Sequence, residues 1–412
     1  MSSYIKKLLF LLFLPLHSYA ETVSLDNLPE DFVEASVVIA SPGTKLYTVL
    51  GHASLRMQCP KYQMDYVFSY EAEDAASHVM KYLSGQLRMG VRMIPTQTFV
   101  ESYKVEGRSV AEYKLNLPIE VKQHLWQILD EGVRMHDVPY DFLRHGCALS
   151  VLQWLIQATD GNITFAPWGD EVRRKSRKEI ACGAMENRWH RFVFSTIVGG
   201  EAYDTESDVV GKVVVPTQLV DVLSKATAYG KPLMEKEAHF LFQTEEKRTQ
   251  TPFSPLVAGV LILALAVGNV FLRNKYLYGA LMVTQTSAGI FLTYLLLFSD
   301  LPCTEWNWLI IPFNPIPALC WRWRDKIGMP FGIITLIWAA GVALYPHQLV
   351  ESAHILMGMA AGVTFFSHEK NVKFKIQNSK FKIQNSKIIK LAAIFTILRY
   401  YEISMRPINY KL

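Results

Sequence analysis

The chain has 412 residues, a formal net charge of +5 and an apolar half, a length that allows two domains or one domain beside a membrane region. Much of the positive excess lies in a Lys-rich tail beyond Lys370, which gives no case for nucleic acid as a partner. The five cysteines, Cys59, Cys147, Cys182, Cys303 and Cys320, include no CxxC pair, so neither a structural zinc site nor any other cofactor is expected.

At the N-terminus, Lys6 and Lys7 precede an apolar run from Leu8 to Leu16, and Ser18-Tyr19-Ala20 follows as a small-x-small cleavage site. The run is short for a membrane span, so residues 1–20 are expected to be a secretory signal peptide, with the mature chain beginning near Glu21 outside the cytoplasm. Residues 21–250 carry charges throughout and read as one exported globular domain. The alternating, Val- and Ile-rich stretch 34–42 predicts a strand that ends in a turn at Pro42-Gly43. Leu50–Met57 and Asp65–Tyr70 predict two strands joined by a turn around Cys59-Pro60. A helix is expected over 74–84, ending near Gly85, then a strand at Ser109–Leu115. Pro118–Val133 predicts a helix with Ile119, Val121, Leu125, Ile128 and Leu129 on one face. Cys147–Ala158 predicts a buried helix, and further strands are expected near 191–198 and 211–215. The domain is therefore of the α+β class.

Residues 251–368 are mostly apolar and are expected to form an all-α membrane domain of about five transmembrane helices. The candidate spans are Phe253–Leu272, Leu277–Phe298, Trp306–Trp321, Met329–Tyr345 and Ala353–Phe366. The third is short and holds Pro312, Pro315 and Pro317, which also suits a re-entrant segment. Five crossings place Arg273 and Lys275, then Arg322, Arg324 and Lys326, and finally the Lys-rich stretch on the cytoplasmic side, as the positive-inside rule requires. His354 falls near the outer end of the last span, where a functional role is the default for an ionisable group, but the preceding Glu351 and Ser352 favour a headgroup-boundary position. Residues 369–412 form a basic low-complexity tail that holds the heptapeptide KFKIQNS twice, at 373–379 and 380–386. Two copies do not build a solenoid, and their lysines suit contact with anionic lipid.

Two segments carry chemistry: Gly51-His52-Ala53-Ser54-Leu55-Arg56, and Arg144-His145-Gly146-Cys147-Ala148-Leu149 leading into the buried helix. Cys147 stands where loop becomes helix, so helix-start amides point at its sulfur, lower its pKa and can hold an oxyanion. A thiolate needs a base or cation beside it. His52 meets that need, and on one strand His52, Ser54 and Arg56 share a face. A third group should orient the imidazole, and the register of the next strand chooses it. A turn at Gln58-Cys59 puts Asp65 opposite His52; a turn at Pro60-Lys61 puts Ser69 there and pairs Asp65 with Arg56. Asp65 is the better chemical choice, because a carboxylate stabilises imidazolium. The competing readings are an inert buried cysteine, a metal held by His145, Cys147, His136 and Asp137, and His145 as the thiol's partner. Cys59 and Cys182 are also candidates for a disulfide in an oxidising compartment.

Pro42-Gly43, the His52 segment, Asp65-Tyr66-Val67-Phe68-Ser69-Tyr70, Asn116-Leu117, Tyr140-Asp141-Phe142, Gly146-Cys147-Ala148, Pro216, Leu219 and Asn307-Trp308-Leu309 with Pro312 follow one another across residues 35–365. In order and spacing they resemble the Lnb-type lipoprotein N-acyltransferase family. The resemblance implies a permuted papain-like (NlpC/P60-like) thiol fold with His before Cys, in a periplasmic domain attached to a multi-pass inner-membrane domain. The order His52 then Cys147 agrees with it; the residues themselves add Asp65 as the third member and Ser54 and Ser69 toward substrate, with Arg56 either meeting lipid phosphate or pairing with Asp65. The acyl chain would pass from a phospholipid donor to the N-terminal amine of diacylglyceryl-cysteine lipoproteins. Family members commonly have Asn before the nucleophile, where Gly146 stands here. Two other functions fit the thiol fold: an envelope hydrolase acting on peptidoglycan peptides, and a non-catalytic membrane-anchored binding or sensor protein.

Overall fold

The computed structural model describes residues 33–72, 79–199, 208–245, 251–320, 323–344 and 350–367. The expected signal peptide, the first part of the 74–84 helix and the repeat-bearing tail lie outside the described residues.

The N-terminal domain is built on five antiparallel strands: β1 (Glu34–Ala40), β2 (His52–Cys59), β3 (Met64–Ala72), β4 (Arg88–Pro95) and β5 (Val110–Lys114). They lie in the order β5-β1-β2-β3-β4, and short strands His239–Phe242 and Val138–Pro139 extend the two edges into a seven-stranded sheet. The alternation of β1 and β2 gives the sheet two faces. On one, Val37, Ala53, Leu55, Met57, Phe68 and Val91 pack under helices α2 (Ile119–Arg134) and α3 (Cys147–Ala158). On the other, Val38, Val67 and Val110 pack under Phe99 and Tyr103 of helix α1 (Thr96–Glu106). α2 turns Leu125, Ile128 and Leu129 inward, and α3 starts and ends where its apolar run does. β4 and α1 were missed in the sequence: Arg88, Arg92 and Gly90 mask the alternation of β4, and α1 has a weak apolar face broken by Ser102 and Lys104.

Two expected strands are not strands. Residues 188–197 form helix α5 (Arg188–Ile197), which follows helix α4 (Arg177–Ala184). The Phe-Val-Phe-Ser-Thr-Ile-Val run mimics strand composition, but the Asn187 side chain accepts hydrogen bonds from the Trp189 and His190 amides and starts a helix. Residues 211–215 are irregular and lead into helix α6 (Pro216–Lys225), with Pro216 at its first position. Cys182 of α4 is a free thiol buried among Ile180, Met185 and Phe194, so the Cys59–Cys182 disulfide does not form.

The C-terminal region holds helices α7 (Pro255–Leu272), α8 (Lys275–Phe298), α9 (Arg324–Leu344) and α10 (Ser352–Ser367). α7, α8 and residues 326–344 of α9 are long and apolar enough to cross a membrane, and α10 is a shorter apolar helix. The third expected span is not a helix. Residues 302–320 are turns of 3₁₀-helix and one short helix, Ile316–Leu319, because Pro312, Pro315 and Pro317 remove donors a longer helix needs. This segment nevertheless runs the length of α8. Its start binds α5 through Asn307, its middle lays Pro312 O on Gln285 Nε2 at 3.1 Å, and its end packs Ala318 beside Tyr278 and Met282. Gly289 allows this close approach, since a Cβ there would stand 1.9 Å from Phe313 O. Irregular backbone of this kind is tolerated at membrane depth where protein covers it.

Candidate active site

His52 opens β2, after Gly51, whose φ of +84° and closeness to Ala40 O leave no room for a side chain. Cys147 is the first residue of α3, after Gly146, where a Cβ would stand 2.9 Å from Phe142 O. This close contact accounts for a glycine immediately before the thiol. β3 pairs with β2 only from Ser54 onward, so the start of β2 is open on that side to the start of α3. The Cys147 sulfur there accepts hydrogen bonds from His52 and from the Ala53 and Ala148 amides. Burial alone would push the thiol's pKa up. The charge of the His52 imidazolium, its hydrogen bond and the two amides outweigh burial and hold Cys147 below the ordinary thiol value. Burial would likewise push His52 down, but the Cys147 thiolate and then Glu71 raise it, against a smaller opposing effect of Arg108. The two shifts have one cause, the attraction between the charged forms of Cys147 and His52, so each group favours the ionised form of the other.

Behind the imidazole lies a hydroxyl relay. His52 Nε2 is 2.6 Å from Ser69 Oγ, and Ser69 Oγ–H donates to Glu71 Oε1 at 2.6 Å. Ser54 Oγ donates to the same Ser69 oxygen at 3.2 Å. A hydroxyl has one proton, so a Ser69 that donates to Glu71 must accept from His52. That fixes Nε2 as protonated and leaves Nδ1 for the sulfur. Glu71 Oε1 itself is 3.7 Å from His52 Nε2. Tyr103 of α1 stacks on the imidazole at 6.5 Å between ring centroids, and the Arg108 guanidinium lies 4.5 Å from the Tyr103 ring.

Asp65 is not beside His52. The loop turns at Pro60–Tyr62 with Gln63 in the left-handed region at φ 53°, and the register pairs Ser54 with Ser69 and Gln58 with Asp65. Both turns weighed in the sequence fall short of this one, and the shift carries Asp65 away and brings Glu71 to the end of the β2–β3 ladder. Asp65 instead accepts from Arg56 Nε (2.8 Å) and Nη2 (2.7 Å), and from Thr96 Oγ1 at 2.5 Å. Burial would raise the Asp65 pKa; the Arg56 and Thr96 hydrogen bonds hold it below the usual carboxylate range. Arg56 also binds Glu112 at 2.9 Å, so its charge is shared between two carboxylates in a structural ion-pair network. Ser54 and Ser69 are fully buried and belong to the relay, out of reach of substrate. His145 is exposed, and no cluster of three metal-ligating side chains occurs among the described residues. Glu71 was the residue missed in the sequence; its signal was the two-residue step from Ser69, which keeps it on the same face.

The relay makes a prediction. Glu71 raises the His52 pKa, so Glu71→Gln lowers it, and the imidazolium is lost at a lower pH. The alkaline limb of the activity profile of Glu71→Gln therefore moves to lower pH. The loss at neutral pH is roughly tenfold, small against the ~10²–10⁴ that a general acid–base group contributes.

Fold and site together define a membrane-attached thiol protein, with a Cys–His pair at a helix start over an antiparallel sheet and a helical bundle behind it. Two family models match the chain: the Lnb N-terminal periplasmic domain over residues 20–176 and the Lnb transmembrane domain over residues 244–371. The chain carries both domains in order and belongs to the Lnb family, the one its motifs resemble. It is a membrane protein with a periplasmic domain. No curated protein and no solved structure matches it.

Proposed function

We propose that the protein is a lipoprotein N-acyltransferase of the inner membrane, acting through a thioester on Cys147. The observation that carries this reading is the joining of the Cys147–His52 pair to a membrane bundle by one apolar cluster. Val49 before His52, Leu143 before Cys147, and Leu301 and Cys303 of the membrane region all pack in that cluster. A thiol site held so close to the bilayer suits a donor and an acceptor that are both lipids.

The Cys147 thiolate attacks the ester carbonyl of a phospholipid, and a C–S bond forms. Negative charge moves to the carbonyl oxygen, where the helix-start amides, including that of Cys147, stabilise it. The ester C–O bond breaks, and His52 gives its proton to the departing lysophospholipid alkoxide. The α-amine of a diacylglyceryl-cysteine lipoprotein then attacks the thioester. His52 takes the amine's proton, the C–S bond breaks and the thiolate returns. Ser69 and Glu71 hold the imidazole in one tautomer throughout, the part an aspartate plays in Ser–His–Asp sites.

The test uses full-length protein in vesicles that hold phosphatidylethanolamine with labelled acyl chains and a diacylated lipoprotein. Mass spectrometry is expected to find the label on Cys147 before the acceptor is added, and on the lipoprotein N-terminus afterwards. Release of stem peptides from peptidoglycan with no acyl adduct would show a hydrolase instead.

A further inference from the structure

Helix α5 is engaged by several segments of the membrane region, and none of these contacts is used by the chemistry above. His354 of α10 is buried, its Nε2 is 2.7 Å from Thr196 Oγ1, and its ring stacks on Phe192 at 4.3 Å between centroids and 14° between planes. Asn307, in the irregular 302–320 segment, donates through Nδ2 to Thr196 O at 2.7 Å and Ile197 O at 3.3 Å. Gly199 N donates to Cys303 O at 2.7 Å, and a Cβ on Gly199 would stand 2.6 Å from Glu305 O. At the other end of α5, Trp189 Nε1 donates to Phe253 O at 2.6 Å, and Arg191 pairs with Glu351 at 2.8 Å. From below, the buried Lys178 ammonium donates to Ser195 O and Val198 O, capping the carbonyl end of the helix.

These contacts come from three separate parts of the membrane region: the approach to α7, the 302–320 segment and the start of α10. Such convergence fixes a rigid body in position and orientation, where a single hinge would leave it free to rock. The fixed body leads to the site. Phe194 of α5 meets Phe142 edge-on at 5.5 Å, and Phe142 O is the atom that crowds Gly146. Phe194, Leu143 and Val49 share the apolar cluster that sits under both the Cys147 and His52 approaches.

We propose that the α5 interlock, centred on Thr196, His354 and Asn307 and braced by Arg191–Glu351, is a positioning device that holds the Cys147–His52 pair at bilayer height. It thereby sets the choice of donor, a membrane-resident ester over a soluble one. The inference rests on the acyl-transfer reading of the site. The residues of the interlock touch neither the reacting atoms nor the substrate; they act through the placement of α5.

The test separates placement from chemistry in full-length protein in vesicles. The variants are His354→Phe, which keeps the stack on Phe192 and removes the nitrogen, Asn307→Ala, Arg191→Glu, and the exchange Arg191→Glu with Glu351→Arg. Three rates are read: Cys147 alkylation by iodoacetamide, Cys147 acylation by the soluble ester p-nitrophenyl butyrate, and Cys147 acylation by labelled phosphatidylethanolamine in the same vesicles. The single variants are expected to keep the first two rates within twofold and to lose the third by tenfold or more. The charge exchange is expected to recover most of the third rate, which a merely unfolded domain would not do. Parallel loss of both acylation rates, or no loss of the phospholipid rate, overturns the interlock and leaves the acyl-transfer reading standing. Absence of any acyl adduct on wild-type Cys147 from either ester overturns both.

Discussion

Cys147→Ser, made in the full chain, is expected to fold, to insert and to lose lipoprotein acylation by about 10⁴-fold, the scale on which triad-type nucleophiles are felt. The two side chains have nearly the same shape, so the helix start and the Ala53 and Ala148 amides keep their places. What changes is acidity. The His52 charge and the amides bring a thiol, ordinarily near pKa 9, below that value despite burial. A hydroxyl starts so much higher that the same surroundings leave it protonated. The chemistry then depends on His52 removing a proton during attack, and without the thiolate beside it His52 is pushed down by burial, opposed by Glu71 alone, and becomes a weaker base. The measurement is mass spectrometry of lipoprotein N-termini from cells that depend on each variant, with labelled phospholipid to look for an adduct at position 147. Wild-type acylation in Cys147→Ser would mean that the thiol is a buried bystander and the acyl group travels by another route.

The helix that carries Cys147 was legible because its apolar run, its preceding glycine and its length agree, and the expected and observed bounds of α3 coincide. His52 was legible from the period of β2, since a two-residue repeat puts His52, Ser54 and Arg56 on one face whatever the neighbouring strand does. The orienting group was not. It depends on how many residues the β2–β3 loop consumes, and composition there reads equally as several turns. The observed loop, Pro60–Tyr62 followed by a left-handed Gln63, moves the ladder so that a carboxylate two residues beyond Ser69 reaches the imidazole and Asp65 closes an ion pair with Arg56. Asp65 was on the right face and misplaced along it, whereas the alternative, Ser69 at His52 with Asp65 on Arg56, has its contacts in place with the ladder two residues further on.

The membrane half divides in the same way. α7 and α8 follow from length and apolarity, and the prolines of the 302–320 segment forbid a long helix there. That an irregular segment still runs the length of α8 follows from Gly289 and the buried Gln285 amide, which are tertiary facts. α5 was misread because its β-branched and aromatic residues outweighed one capping asparagine. The same helix carries the contacts that join the two halves of the chain, so the error also hid why His354 and Asn307 lie where they do.

His52→Ala tests the electrostatic heart of the site, through two readouts that should part company. In the wild type, burial raises the Cys147 pKa, and the His52 charge and hydrogen bond lower it by more, helped by the Ala53 and Ala148 amides. Removing His52 takes away the two strongest lowering influences and leaves burial opposed by the amides alone. The thiol pKa therefore rises, and the thiolate fraction at neutral pH falls. Alkylation of Cys147 by iodoacetamide at pH 7 is expected to drop by about a hundredfold and to recover as pH climbs, because solvent base then supplies the thiolate. Acyl transfer is expected to drop by about 10³-fold or more and not to recover. Raising the pH restores the nucleophile, but it supplies neither the proton for the lysophospholipid alkoxide nor an oriented base for the incoming amine. A site in which the helix-start amides alone stabilised the thiolate would show the opposite pattern, with alkylation at pH 7 unchanged by the substitution. If acyl transfer recovers in step with alkylation, His52 serves only as a counter-charge, and the proton transfers belong to water or to another group, for which exposed His145, two residues from the thiol in the chain, is the first to substitute.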